Sequence, residues 1–204
     1  MTAVIEISHS EQSALIGNFN GENVKLRRIT VKEYDAMIEG GVFNEDDQIE
    51  LLSGVIIEKI PKGTKHSAAT DRASRVFNRL FGEEVFIRNQ NPVWLDDFSE
   101  PEPDIVLAKP PRENYLENHP TASDIYLIIE ISDTTLVYDR DTKAKAYSRG
   151  RIEQYILLNL QNETVEAYRE PGEDGYQFKR TLRKGDSLNL AAFPEVEIKI
   201  DDLF

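Results

Sequence analysis

Residues 125–160 read IYLIIEISDTTLVYDRDTKAKAYSRGRIEQYILLNL, and the fold turns on how this stretch divides. IYLIIEI (125–131) is nearly all apolar, far short of membrane-spanning length and broken by Glu130, so it reads as a central strand covered on both faces. After a polar loop, TKAKAYSRG (142–150) predicts a short helix stopped by Gly150, and QYILLNL (154–160) returns as another buried strand. Upstream, EPEPDIVLA (100–108) enters a strand at Ile105–Leu107 through a proline-stiffened turn. VFIRN (85–89) and VWL (93–95) read as two further strands. Residues 66–82 space Ala69, Ala73, Val76, Phe77 and Leu80 as one face of a long helix ending at Gly82. IELLSGVIIEKI (49–60) is a hairpin turning at Ser53-Gly54, and TVKEYDAMIEGG (30–41) is a short helix with a capping box at Thr30 and Glu33.

Downstream, a hairpin across Pro171–Gly175 and an alternating strand VEIKI close the chain. Residues 1–23 show no sustained period and are expected to form an arm outside a single domain at 24–204. The element order is α/β with a mixed sheet. The chain has 204 residues, 37 acidic against 24 basic, a formal charge of -13 and no cysteine. Such a charge argues against coating nucleic acid or an acidic membrane nonspecifically, so any nucleic-acid contact is local. The absence of cysteine excludes disulfides, thiolate zinc sites and a cysteine nucleophile. The start lacks a basic segment followed by an apolar one, and the expectation is a cytoplasmic protein without membrane contact.

Chemistry is sought where carboxylates enter apolar strands. Asp104 follows Pro103 at the mouth of one strand, and Glu130 lies inside another. A carboxylate in a strand covered on both faces requires a partner, a proton or a cation. Two such acids from neighbouring strands, with strand-end carbonyls, offer the oxygen shell that Mg²⁺ prefers. A structural ion pair between Glu130 and Lys143 or an arginine satisfies the same requirement. In the hairpin Glu50 falls opposite Ile57 and shares a face with apolar residues, unless the hairpin is an edge that turns it to water. Lys143 and Tyr147, four apart, share a helix face. An ammonium there could position water or offset charge on a phosphate, or could simply be solvated. His66 opens the long helix on the Ala69 and Ala73 face. Two basic segments, 59–82 and 139–151, are suited to phosphates or are ordinary solvated faces. No two-histidine zinc pattern, Walker loop or GxGxxG motif occurs.

Taken together, IELLSGVIIEKI, KHS, SEPEPDIVL, YLIIEISD and YDRDTKAKAYSRGRIEQYILLNL resemble the Uma-two family, a branch of the restriction-endonuclease-like PD-(D/E)XK nucleases. The resemblance runs from about Thr30 to Leu160. It implies a restriction-endonuclease-like mixed β-sheet flanked by helices, here with an added C-terminal β-hairpin. It further implies a Mg²⁺-dependent (or Mn²⁺-dependent) endonuclease acting on nucleic acid, DNA above all, often as a homodimer because two strands need two sites. On that pattern Asp104 is the Asp of the first half-motif and Glu130 the acid of the second. Both hold metal with the Ile131 carbonyl, and Glu50 is the extra acid. Ser132 stands where the general motif has lysine, and the lysine role passes to Lys143. His66, Ser132, Arg72 and Tyr147 are expected to support the site or the substrate. Arg151, Glu153, Gln154, Ile156 and Asn159 depart from the family's last strand. Two other classes remain open: a binding module that keeps the fold without cutting, and a hydrolase of small phosphorylated substrates.

Overall fold

Short-range signals build the first of two units in the computed structural model, which describes residues 5–6, 15–19, 22–44 and 46–204. The units are residues 1–59 with 97–99, and residues 60–96 with 100–204. In the first, β1 (Ile5–Glu6), β2 (Leu15–Phe19) and β3 (Glu22–Leu26) form an antiparallel sheet in chain order. Most of the arm expected over 1–23 otherwise lies outside the described residues. Thr30 caps α1 (Val31–Glu39): its side chain accepts from the Glu33 N–H while Glu33 accepts from the Thr30 N–H, the reciprocal box expected there. β4 (Ile49–Leu52) and β5 (Val55–Glu58) pair with Leu52 opposite Val55 and Glu50 opposite Ile57. The two turn residues have φ of 53° at Ser53 and 80° at Gly54, the primed geometry that suits the twist of a two-residue hairpin. Val31, Tyr34 and Leu51 bury themselves against Ile29, Phe43, Ile49 and Ile56.

The second unit is built on a six-stranded sheet. α2 (Thr64–Phe81) leads to β6 (Phe86–Asn89), β7 (Ile105–Ala108) and β8 (Ile125–Ser132). A π-helical turn over Tyr138–Lys143 runs into α3 (Ala144–Arg149), then β9 (Gln154–Asn159), β10 (Thr164–Arg169) and β11 (Phe178–Leu182). The order across the sheet is β11-β10-β9-β8-β7-β6, and only β8 and β9 run parallel. β12 (Ser187–Leu190) and β13 (Phe193–Lys199) form a separate C-terminal hairpin. This is the mixed, helix-flanked sheet the sequence predicts.

Strand alternation divides the core between the two faces. Ile105, Leu107, Ile129, Ile131, Ile156 and Leu158 face α2 through Ala73, Val76 and Phe77. Val106, Ala108, Ile128 and Leu157 face α3 through Ala144 and Tyr147. One expected strand is absent. VWL contributes only an isolated bridge between Trp94 and Thr121, because the Val93 N–H goes to Pro101 and the Trp94 N–H to Pro120, two different loops. The C-terminal part of the predicted helix at 142–150 forms as α3, but its first turn widens into the π-helical segment. Among the described residues no helix is long and apolar enough to cross a membrane.

Candidate active site

The pairing of β7 with β8 sets Ile105 opposite Ile129, so one step beyond the ladder Asp104 comes opposite Glu130. Both side chains turn to the α3 face, as their even-numbered neighbours Val106 and Ile128 do. The contact is close: the Asp104 N–H donates to Glu130 Oε2 at 3.4 Å, and the Ile131 N–H donates to Asp104 Oδ2 at 2.9 Å. Asp104 is 5% and Glu130 3% exposed. Two carboxylates this near one another, out of water, require compensating charge.

Three cationic or ionisable groups supply it from both sides. Lys62 Nζ lies 3.3 Å from Asp104 Oδ1 and His66 Nε2 lies 2.9 Å from Oδ2. These two residues bracket the start of α2, whose N-cap is Gly63. Lys143 Nζ donates to Glu130 Oε1 at 2.9 Å, and the Tyr147 hydroxyl donates to the same oxygen at 2.5 Å. Lys143 and Tyr147 reach one atom because they stand one helical turn apart on one face. The surroundings tune the acids in opposite directions. Burial alone would raise Asp104, but His66, Lys62 and the Ile131 N–H outweigh it and hold its carboxyl below the ordinary range. Asp139 goes the other way: burial and the nearby Asp104 charge lift it, against the pull of Thr135, Lys143 and Ser132.

The remaining predicted residues fall in different places. Ser132 is fully buried, its Oγ 3.5 Å from Thr135 Oγ1. Ile131 meets Asp104 through its N–H. Glu50 is buried on β4 in the first unit. Arg72 is exposed and lines a surface cleft of about 380 Å³ with Arg75, Val76, Arg79 and Asp202, away from the carboxylate pair. That separation is a matter of helix geometry: Arg72 lies some 240° around α2 from His66 at about 100° per residue. Lys145 is exposed, as its position on the helix predicts.

Sequence reasoning missed Asp139 and Lys62. Asp139 is buried, accepts from Thr135 Oγ1 at 2.5 Å, and interacts electrostatically with both Lys143 and Asp104. Its signal was available: Asp139, Lys143 and Tyr147 are spaced by four, a polar stripe that begins one turn before the expected helix. Lys62 had no comparable pattern, since only the fold of the segment before α2 brings it to Asp104. The ion pair between Lys143 and Glu130 is the geometry that the catalytic and the purely structural readings have in common.

An antiparallel-rich mixed sheet with one parallel strand pair, flanked by α2 and α3, is a fold of the restriction-endonuclease-like class. The solved structures agree on the fold. A crystal structure titled as that of a "putative nuclease" from Anabaena variabilis superposes with a TM-score of 0.66 and 22% identity, covering 86% of this chain and 97% of that one. A family model described as "putative restriction endonuclease" matches residues 31–201, and the chain belongs to that family, Uma-two. No curated protein matches the chain.

Proposed function

We propose that the chain is a divalent-metal-dependent endonuclease that hydrolyses phosphodiester bonds in nucleic acid, with DNA as its substrate. The observation that carries this reading is the facing of Asp104 and Glu130 across neighbouring strands with the Lys143 ammonium on the second of them. Among the described residues no group of three His, Asp or Glu side chains is disposed to hold a metal. The proposed site therefore uses two carboxylates and the Ile131 carbonyl, with the other positions left to water and phosphate. Mg²⁺ is commonly held in this way, and Mn²⁺ accepts the same oxygens.

Charge supports the fit. With Asp139 ionised, the carboxylates Asp104, Glu130 and Asp139 outnumber the ammonium groups of Lys62 and Lys143, so the cluster favours an added cation. When bound, such a metal lowers the pKa of a coordinated water and offsets charge on the phosphate. The chain's own groups do the positioning. His66 and the Ile131 N–H fix Asp104, and Tyr147 fixes Glu130. Lys143 holds a positive charge beside the reacting phosphate, where it stabilises negative charge that develops in the transition state. Ser132 is assigned support of the strand end, and Arg72 a phosphate outside the reacting bond.

The test is cleavage of supercoiled plasmid and of labelled DNA and RNA oligonucleotides with Mg²⁺ or Mn²⁺, against an EDTA control. Asp104→Ala and Glu130→Ala are each expected to lose at least about 100-fold. Equal cleavage by all three proteins refutes the assignment. Binding of nucleic acid by an inert wild type would leave a binding module that keeps the nuclease fold.

A further inference from the structure

Glu130, Leu157 and Glu166 form one row across the sheet: β8 pairs Glu130 with Leu157, and β10 pairs Glu166 with the same leucine. Paired residues point to one face, so Glu130 and Glu166 stand on the α3 side, two strand spacings or about 9.6 Å apart. The π-helical turn lies over this row and grips it twice. Lys143 donates to Glu130, and three residues earlier Arg140 makes a two-pronged contact with Glu166, Nε to Oε2 at 3.0 Å and Nη2 to Oε1 at 2.5 Å. Glu166 is 5% exposed and also receives Lys179 Nζ at 2.7 Å and the Tyr168 hydroxyl at 2.5 Å. Fork-to-carboxylate pairs of this kind fix orientation as well as distance.

The turn between the two grips is wide. The Ala144 N–H reaches back five residues to the Asp139 carbonyl, which also accepts from the Tyr155 hydroxyl at 3.1 Å. Such wide turns are uncommon and need tertiary support. Relaxation to ordinary α-helical closure would rotate the downstream part of the helix by about 100° and carry Lys143 and Tyr147 off Glu130.

We infer that Arg140 and Glu166 are positioning residues: their pair holds the π-helical turn in register, so that Lys143 stays on Glu130 and Asp139 stays beside Asp104. The catalytic consequence rests on the nuclease reading above, whereas the structural anchor does not.

Two measurements separate the parts. Amide hydrogen exchange of wild type, Arg140→Gln and Glu166→Gln reads the turn directly. Exchange at Ala144 and its neighbours is expected to quicken at least tenfold in both variants, with β8 and β9 unchanged. Unchanged exchange at Ala144 overturns the anchor. Steady-state cleavage then reads function. Each variant is expected to lose roughly 100-fold in kcat, the scale of a 1 Å misplacement, with KM little altered. In a Lys143→Ala background Arg140→Gln is expected to cost clearly less than its roughly 100-fold in wild type, because the largest part of its effect passes through Lys143 and the remainder through Tyr147 and Asp139. A full second loss in that background would mean a general stability defect and overturns the positioning role. An inert wild type refutes the nuclease reading instead, and the exchange result still decides the anchor.

Discussion

Replacing Lys143 by methionine keeps the aliphatic stem and deletes the ammonium that lies 2.9 Å from Glu130 Oε1. Both residues are buried, so neither water nor salt screens the loss. Removing one member of a buried pair typically costs about 3–5 kcal/mol, because the other charge is stranded. Here the Tyr147 hydroxyl and the Asp104 N–H remain on the carboxylate, which places the expected cost near the lower end, about 3 kcal/mol. With a urea m-value of about 2 kcal/mol/M, the unfolding midpoint should fall by roughly 1.5 M. Adding Glu130→Gln removes the stranded charge and keeps an acceptor for Tyr147. The double variant should therefore recover most of the loss, a coupling of about 2–3 kcal/mol. Urea unfolding followed by circular dichroism at pH 7 measures all four corners of this cycle. A shift below roughly 0.3 M in Lys143→Met, or simple additivity in the double variant, refutes the claim that this ammonium compensates Glu130.

Two further outcomes concern the acids around that pair. Burial works to raise Glu166, but Arg140, Lys179 and Tyr168 lower it from 4.5 to about 2. Its stabilising contribution is therefore complete above the unfolded value and lost as pH falls toward about 2. Arg140 and Lys179 are themselves partly exposed and screened by solvent, so the total is well below full conversion at about 1.36 kcal/mol per unit, roughly 1–2 kcal/mol. Urea midpoints between pH 6 and pH 2 should fall less steeply in Glu166→Gln, and identical slopes would contradict the assignment. Asp139 has the opposite sign, since a carboxyl raised by burial destabilises the fold once ionised. Asp139→Asn should raise the urea midpoint at pH 8 while lowering cleavage. A lower midpoint at that pH would show that the ionised form is favoured by its surroundings.

Periodicity and turn chemistry act over a few residues, and what depends on them is legible in the chain. The capping box at Thr30, the Ser53-Gly54 turn with its register, and the strand–helix–strand order from Ile125 to Leu160 are all set by neighbours along the sequence. The same local grammar misreads VWL, because strand formation needs one partner strand and its N–H groups go to two loops. It also places the crossover helix too simply. A turn that closes over five residues needs Arg140 on Glu166, a pair 26 residues apart whose meeting depends on the order of the strands.

The sequence by itself determined the class of fold, the element order and the presence of two acids inside apolar strands. Only the tertiary structure decided that these acids face each other, that Lys62 and His66 compensate one while Lys143 and Tyr147 hold the other, and that Asp139 joins them. The physical reason is range. Apolar burial selects a face through a repeat of two or 3.6 residues, which any short window displays. Charge compensation at Glu130 and Asp104 joins groups 13 to 42 positions apart, and a one-residue slip in the β7–β8 register would turn the carboxylates to opposite faces.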